Sequence, residues 1–305
     1  MWYTAFMQAD VPTVPLSELN RRKYQEILED VGQIPTLPTI VMRAMEILND
    51  DHARAEDLGR LLARDPALSV KVLRLANSAF YGIPRTISSI NQAVIILGFD
   101  TLRSLVLSAT VFRLFDGRQA NIDHGRYWKH SVVAAMATRR LARHVARFHS
   151  VNPESAFMTG LLHKIGILIF DMIAPEAHAS LFAQLKESTS TLAELETSLL
   201  GIHYAQLGGM LAERWELPEE LQRPIMNHLQ PSADPEWAVS ASLVHVGAIL
   251  AERSGTALVD SVAAFPLDPT ALEILALTEK DLDNLLVELT PEIESASGFF
   301  ELVQG

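Results

Sequence analysis

The side chains of this sequence that could carry out chemistry are its histidines, because the chain has no cysteine. Ten histidines are spread over 305 residues. The lack of cysteine excludes disulfide bonds, thiolate zinc sites and cysteine nucleophiles together. Three neutral imidazoles can hold a zinc ion, whereas a lone histidine on an apolar helix is more often a core residue with its hydrogen bonds satisfied.

A row of arginines is the second group with possible chemistry. Arg139, Arg140, Arg143 and Arg147 follow one another at helical spacing, so they share one side of a predicted helix. Such a row could meet nucleic acid or another acidic partner. No aromatic residue is interleaved with it, and we therefore expect a solvated helix face without nucleic-acid binding.

Composition and charge narrow the class of protein. The chain is 49% hydrophobic, which excludes a mainly disordered protein. The formal charge of −12 is uneven, since residues 1–150 hold 19 Lys and Arg against 14 Asp and Glu, and residues 151–305 hold 6 against 23. The apolar runs at Leu102–Val111 and Ile165–Phe170 are too short or too polar for membrane spans and are typical of core helices. Met1–Val14 lacks the features of a secretory signal, so we expect a cytoplasmic protein without membrane contact.

Helical periodicity dominates the sequence and predicts an all-α fold. Asp65 followed by Pro66 is a helix start, and Ser89 and Asp100 are candidate caps of two helices separated at Gly98. Residues 116–126 are rich in Gly, Asn and Asp and predict a linker. Beyond the linker we predict helices over Tyr127–Phe148, Ser155–Met172, Glu176–Glu187, Leu192–Leu200, Ala205–Trp215, Glu219–His228, Trp237–Arg253, Thr270–Leu275 and Glu279–Leu289, with Ala257–Phe265 ambiguous.

Several of these stretches resemble one family in order and spacing. The blocks are DPALSVKVLRLANSAFYG (65–82), ISSI (87–90), AVIILG (93–98), YWKHS (127–131), AFMTGLLHKIG (156–166) and the segment from Gly208 to Pro218. Together they closely resemble the HDOD domain, the HD-related output domain of bacterial signalling proteins, over roughly residues 25–235.

The resemblance implies a two-lobed helical protein. It assigns residues 25–235 to an HDOD domain, which leaves an N-terminal extension (1–24) and a C-terminal helical extension (236–305) that we expect to pack on the second lobe. Within the domain, residues 25–116 would form a front helical lobe and residues 127–235 a lobe related to the HD metal-dependent phosphohydrolases. Members of the family are generally regarded as regulatory, and no activity is generally established for them.

The same resemblance implies a metal pocket that has lost ligands. His130 and His163 fall where HD enzymes have ligand histidines, but Lys164 stands where they have the bridging aspartate. An ammonium has three donors and no acceptor, so it would repel a metal rather than bind it. His203 and Tyr204 replace an expected acid and histidine.

Two further positions complete the comparison. His228 is one of two expected histidines, and Gly247 with Ala248 stands where a last aspartate is expected. We therefore expect no metal and no cofactor, and a divalent metal at His130, His163 and His228 is the alternative. The vestigial pocket is predicted to comprise His130, His163, Lys164, His203, Tyr204 and His228, with the charge of Lys164 in place of the lost metal or, alternatively, at the surface.

The strongest matches to the family have structural explanations. Asp65, Pro66, Asn77, Ser78 and Gly82 suit a helix cap, a helix start, backbone bonds at a helix end and an unusual dihedral. Trp128 and Trp215 are predicted core residues, and the tail after Ser232 is expected to pack back on the domain rather than form a dimer contact.

Three functions remain open from the sequence. The favoured one is a non-catalytic bacterial signalling module that binds a protein partner or a small ligand, such as a nucleotide, through the cleft between its lobes. The alternative is a metal-dependent phosphohydrolase or phosphodiesterase acting on a nucleotide or cyclic dinucleotide. Binding of nucleic acid by the basic half is the weakest of the three.

Overall fold

The computed structural model describes residues 35–50, 52–116, 121–259, 265–296 and 299–300. All secondary structure in these ranges is helical, so the prediction of an all-α fold is confirmed. The expected N-terminal extension, residues 1–24, lies outside the described residues.

In its described residues, the front lobe has four helices and a short 3-10 turn. The elements are α1 (Thr39–Leu48), α2 (Ala55–Leu62), α3 (Pro66–Ala76), the turn Ala79–Tyr81 and α4 (Ile90–Phe115). The side chain of Asp65 accepts a hydrogen bond from the Leu68 amide at the start of α3, and Ser89 caps α4 through the Gln92 amide. Gly98 interrupts α4 with φ 83° and ψ 168°, which confirms the predicted break.

The end of α3 is fixed by side-chain bonds to the backbone. The Asn77 amide donates to the carbonyls of Leu73 and Ile87 and accepts from the Ile87 amide, at 2.7 to 2.8 Å. Ser78 donates to the Leu75 carbonyl, and Gly82 follows with φ 60°. These bonds connect α3 to the segment before α4, so the residues that carry the family resemblance here hold the backbone.

Eight helices follow in the described residues: the first seven lie in the rear lobe, and the last opens the expected C-terminal extension (236–305). They are α5 (His124–Val145), α6 (Pro153–Leu162), α7 (Ile165–Ile173), α8 (Pro175–Leu185), α9 (Leu192–Leu200), α10 (Tyr204–Arg214), α11 (Glu219–Asn227) and α12 (Ala238–Arg253), with a 3-10 turn at Pro231–Ala233. Helix α5 is central and packs against α6 and α12, while α10 packs against α7 and α11. Trp128 and Trp215 are buried, as predicted.

The prediction of one helix over Ser155–Met172 is wrong. Helix α6 ends at Leu162 and α7 begins at Ile165, because Lys164 between them has φ −107° and ψ 13°. The apolar pattern runs without interruption through this break, so periodicity could not reveal it. The break turns His163 and Lys164 into the interior of the lobe.

Two glycines allow the helices beside this break to approach each other closely. A Cβ at Gly160 would lie 2.7 Å from the Ala135 Cα of α5, and a Cβ at Gly166 would lie 2.0 Å from the Tyr204 carbonyl oxygen. Real side chains do not fit at such distances. The backbone of α6 therefore contacts α5 directly, and the start of α7 contacts the start of α10.

After α12, the C-terminal extension continues with α13 (Pro269–Leu275) and α14 (Glu279–Ser295). Thr278 and Asp281 form a capping box at the start of α14. Helix α14 packs on α5 and buries Leu282, Leu285 and Leu289. Beyond it, the buried Phe299 contacts the rings of Phe80 and Phe112 in the front lobe. The extension therefore contacts both lobes.

The expected solvated face of the arginine row is wrong at two of its positions. Arg139 is buried, where its guanidinium lies 4.2 Å from the Phe80 ring centroid and 3.4 Å from the Glu154 carboxylate. Arg140 bonds to Glu288 and Glu292 of α14. These acids and aromatic rings come from distant parts of the chain, which is why the local sequence pattern did not reveal them.

Among the described residues, two helical stretches are apolar and long enough to span a membrane on length and composition alone. They are Ile90–Phe115, which is α4, and Pro153–Ile173, which comprises α6 and α7. In the folded chain more than half of the first and most of the second are buried against protein. Core helices have the same properties, so these stretches are weak evidence for a membrane protein.

Candidate functional site

Three histidines from three parts of the rear lobe meet in its interior. His130 lies in the middle of α5, His163 follows the end of α6, and His228 follows the end of α11. All three side chains are fully buried. The Nε2 atoms of His130 and His163 are 3.4 Å apart, and the rings of His163 and His228 are 5.3 Å apart between centroids. We call these three side chains the histidine cluster.

The backbone fixes the tautomer of each histidine in the cluster. His130 Nδ1 lies 2.9 Å from the Thr256 carbonyl oxygen, His163 Nδ1 lies 2.7 Å from that of Gly160, and His228 Nδ1 lies 2.8 Å from that of Ile225. A carbonyl oxygen only accepts, so each Nδ1 carries the hydrogen when the ring is neutral. Each Nε2 then has a free lone pair, and His228 Nε2 is buried without a hydrogen-bond partner among the described residues.

Burial holds these rings in their neutral form. Loss of hydration lowers the pKa of His130 and of His163 well below the ordinary value, and nearby positive charge, including that of Lys164, lowers both further. Burial also lowers the pKa of His228 to about 3. The cluster is therefore uncharged at neutral pH.

The structure places Lys164 in the interior of the lobe. Its side chain is only 6% exposed, and Nζ lies 3.4 Å from a carboxylate oxygen of Glu252 in α12. Nζ also lies 5.8 Å from the ring centroid of Phe265. Burial lowers the pKa of Lys164, and the Glu252 carboxylate counteracts this effect. Of the two positions that the sequence left open, the buried one is observed.

Tyr204 and Glu196 lie beside the histidine cluster and Lys164. We call the histidine cluster, Lys164, Glu252 and these two residues the network. The Tyr204 ring lies 5.7 Å from the His228 ring, and the Tyr204 amide donates to Glu196 at 2.7 Å. Glu196 is fully buried, so loss of hydration raises its pKa well above the ordinary value, although the Tyr204 amide and the Lys164 charge oppose that rise. A second carboxyl group therefore lies near the ammonium of Lys164.

His203 has a different task from the other histidines named from the sequence. It is the N-cap of α10, where its Nδ1 accepts from the Gln206 amide at 3.3 Å. Burial lowers its pKa to about 4, so the ring stays neutral and can accept that bond. His203 lies beside the Tyr204 ring at 6.4 Å, at the edge of the network rather than within the histidine cluster.

Sequence reasoning missed two residues of the network, Glu196 and Glu252, and the neighbouring His245. His245 in α12 donates a hydrogen bond from Nδ1 to the His228 carbonyl. Its Nε2 accepts a hydrogen bond from the backbone amide of Asp268. The one available signal was a histidine or acid within an otherwise apolar helix pattern. Gly247 occupies about the position at which the family resemblance led us to expect a metal-binding aspartate. It packs closely on α5, because a Cβ there would lie 2.2 Å from the Thr138 hydroxyl oxygen.

The residues present do not fit the metal centre that HD enzymes need. Within the described part of the chain, no three His, Asp or Glu side chains are placed so as to hold one ion. The histidine cluster supplies free lone pairs, but the charge of the buried Lys164 ammonium acts on His130 and His163 and repels a cation. Lys164 therefore disfavours a metal at the unprotonated Nε2 atoms of the cluster.

Comparison with known proteins agrees with this architecture. The HDOD domain family matches residues 34–231, which is more than half of the chain. The chain belongs to the HDOD family. The residues matched include α1 to α11, and with them all three members of the histidine cluster.

Solved structures share the fold over most of the chain. An HDOD domain protein of unknown function from Geobacter sulfurreducens is 25% identical, with a TM-score of 0.75 over 90% of this chain and 97% of that one. A protein from Shewanella amazonensis, provisionally named a phosphohydrolase, is 25% identical with a TM-score of 0.72 over 92% of this chain and 97% of that one. A protein from Marinobacter aquaeolei, provisionally named a signal transduction protein, is 24% identical with a TM-score of 0.74 over 96% of this chain and 68% of that one.

A longer relative contains the same region. An uncharacterized protein of Treponema pallidum is 26% identical over 219 residues, which is 72% of this chain and 42% of that protein. This chain thus spans less than half the length of that relative. The similarity concerns one part of a larger protein.

Proposed function

We propose that this HDOD protein is a non-catalytic, cytoplasmic signalling module that acts by binding a protein partner or a small ligand. The observation that carries the proposal is the position of Lys164. Its ammonium is buried beside the histidine cluster and bonds to Glu252 at 3.4 Å. The charge that a hydrolytic metal would supply at this place comes instead from a side chain.

The chemistry of Lys164 supports the absence of hydrolysis. HD-type hydrolysis depends on a divalent ion that lowers the pKa of a bound water and holds phosphate oxygens. An ammonium offers hydrogen bonds and positive charge but has no vacant orbital for a water oxygen. The three histidines are neutral and direct their Nδ1 hydrogens to backbone carbonyls, which fixes the orientation of each ring in the core.

The packing between the lobes favours a protein partner over a small ligand. Arg139 of the rear lobe is enclosed by the rings of Phe80, Tyr81 and Phe157 at 4.2 to 6.0 Å, and Phe299 contacts Phe80 from the other end of the chain. The place where we expected a binding cleft is therefore filled by side chains at this point. A partner on the outer surface requires no opening of that joint.

Hydrolysis of a phosphodiester is the second candidate, because the Nε2 atoms of His130 and His163 are unprotonated and face each other at 3.4 Å. The Shewanella protein provisionally named a phosphohydrolase has the same fold. The test is an assay of the full chain with Mn²⁺, Fe²⁺ or Zn²⁺ on a cyclic dinucleotide and on a nucleotide. We expect no turnover above the protein-free blank. Turnover that needs the added ion and disappears in His163→Ala would overturn the proposal.

A further inference from the structure

The C-terminal end of α5 is basic, and an exposed aromatic ring follows it. Arg143, His144 and Arg147 are exposed at this end of the helix. Phe148, just beyond it, is 62% exposed, and the Arg147 guanidinium lies 4.7 Å from the centre of its ring. A phenylalanine left this open in water loses the free energy that burial would give. We call Arg143, His144, Arg147 and Phe148 the basic patch.

The outer face of α14 has the opposite charge and its own exposed apolar side chain. Val287 is 74% exposed at its centre. Four acids on the helix are also exposed: Glu279, Asp283, Glu288 and Glu294. Glu279 bonds to Arg253 and Glu288 to Arg140, whereas Asp283 and Glu294 have no ion-pair partner among the described residues. We call Val287 and these four acids the acidic patch.

The two patches lie side by side because α14 packs on α5. Arg140, one turn before the basic patch, bonds to Glu288 and Glu292. Near the start of α14, bonds from Thr278 lower the pKa of Asp281, and the nearby His144 lowers it further. The later residues of α5 thus meet the earlier residues of α14, so the two helices run antiparallel and the basic patch lies near the N-terminal end of α14.

Such an arrangement is self-complementary under a two-fold rotation. If a second copy is turned by 180° about an axis between the patches, its acidic patch faces the basic patch of the first copy, and the reverse pairing forms at the same time. Each pairing would also bring Phe148 of one copy toward Val287 of the other. Rotation therefore covers both exposed apolar side chains and matches both charges.

We propose that the basic patch on α5 and the acidic patch on α14 form a two-fold interface between two copies of this chain. The contact within one chain shows the same chemistry, since the glutamates of α14 already bind Arg140 of α5. Closed two-fold dimers are the commonest symmetric assembly of proteins, and this pairing closes after two copies. The proposal does not depend on whether the histidine cluster is catalytic.

Sedimentation velocity of the full chain over a range of concentrations tests the interface. We expect a dimer that dissociates toward monomer as the salt concentration is raised, because the charges lie at the surface and are screened. Arg147→Glu and Asp283→Lys should each raise the dissociation constant by about tenfold or more, since each reverses two attractive contacts per dimer. Val287→Ser should weaken the dimer, whereas Ile95→Ser, which alters a 79% exposed side chain of the front lobe, should not.

Mixing the two charge variants gives the sharpest result. A dimer of one Arg147→Glu chain and one Asp283→Lys chain has opposite charges at both pairings, so the mixture should dimerise at concentrations at which each variant alone is monomeric. Circular dichroism confirms that both variants are folded. A chain that is monomeric at every concentration, or a dimer that responds to Ile95→Ser but not to the patch variants, would overturn the proposal. A mixture that remains monomeric would also do so.

Discussion

The ammonium of Lys164 lies 3.4 Å from the Glu252 carboxylate, and this ion pair lies next to three neutral, buried histidines. The two residues are 88 positions apart and come from different helices. Lys164 is placed by the break between α6 and α7, and Glu252 by the packing of α12 on α5. The pair links the core of the rear lobe to α12. We therefore expect it to affect both the stability of the fold and the binding of metal.

Removing the carboxylate from this pair should lower the free energy of unfolding more than removing the ammonium does. Glu252→Gln removes the carboxylate that bonds to the buried ammonium and leaves only the more distant Glu196, and we expect a loss of about 1–3 kcal/mol in the free energy of unfolding. Lys164→Met replaces the cation with an apolar side chain of similar length and should change stability by less than about 1 kcal/mol.

Urea unfolding of the two variants and of their combination measures this difference. The double variant should be more stable than Glu252→Gln alone, because it contains no unpaired buried charge. Equal losses in the two single variants, with simple addition in the double variant, would show that the residues do not act as a pair.

Replacing Lys164 with aspartate should create affinity for a divalent ion. The substitution removes the repelling charge and adds a carboxylate beside His163, as in the His-Asp pair of HD enzymes. We expect Lys164→Asp to take up about one ion per chain, with a rise in melting temperature on addition of Mn²⁺ or Zn²⁺. Lys164→Met is the matched control and should show neither effect. A folded Lys164→Asp protein without metal uptake would show that the surviving histidines do not form a usable site.

Acid should destabilise the fold through His228. In the unfolded chain this histidine binds a proton near pH 6.5, whereas burial lowers its pKa to about 3 in the folded chain. The stability that depends on its neutral form is complete above about pH 6.5 and is lost as the pH falls toward 3. Urea unfolding at several pH values between 6 and 4 gives the slope of the free energy of unfolding against pH. This slope should therefore be smaller in His228→Asn than in the unchanged protein, by about 1.4 kcal/mol per pH unit. Identical slopes would mean that His228 is not buried in its neutral form.

Phe299 should contribute strongly to stability although it lies beyond the last long helix. Its ring is 1% exposed and contacts Phe80 and Phe112 of the front lobe. We expect Phe299→Ala to lower the free energy of unfolding by about 3–5 kcal/mol, and the exposed-site control Ile95→Ala to lower it by less than about 0.5 kcal/mol. Similar small losses of stability in both variants would show that Phe299 does not stabilise the contact with the front lobe.

Local signals predicted most of the fold. The caps at Asp65, Ser89 and Thr278 follow from side chains that bond to amides within three residues, and Gly98 interrupts α4 as its sequence position indicated. The break at Lys164 was missed because the apolar pattern continues across it. Propensity and periodicity describe one segment at a time, so a turn that depends on contacts with other helices leaves no local trace.

The candidate site was less accessible from the sequence. The family resemblance named His130, His163, His228, Lys164 and Tyr204, and the structure brings these together, while His203 serves as a helix cap. Glu252 and Glu196 were missed, because charge pairing across 88 or 32 positions depends on tertiary packing. The expected solvated face at Arg139 and Arg140 was wrong for the same reason, since their partners come from the front lobe, α6 and α14.

The metal content of the full chain tests the central claim most directly. The protein is purified without chelator and without nickel affinity, and plasma mass spectrometry measures bound metal before and after incubation with Mn²⁺, Fe²⁺ and Zn²⁺. A buried ammonium beside three neutral histidines predicts far less than one ion per chain after loading. One or two ions per chain, lost in His130→Ala and His163→Ala, would contradict the account and identify the histidine cluster as a working metal centre.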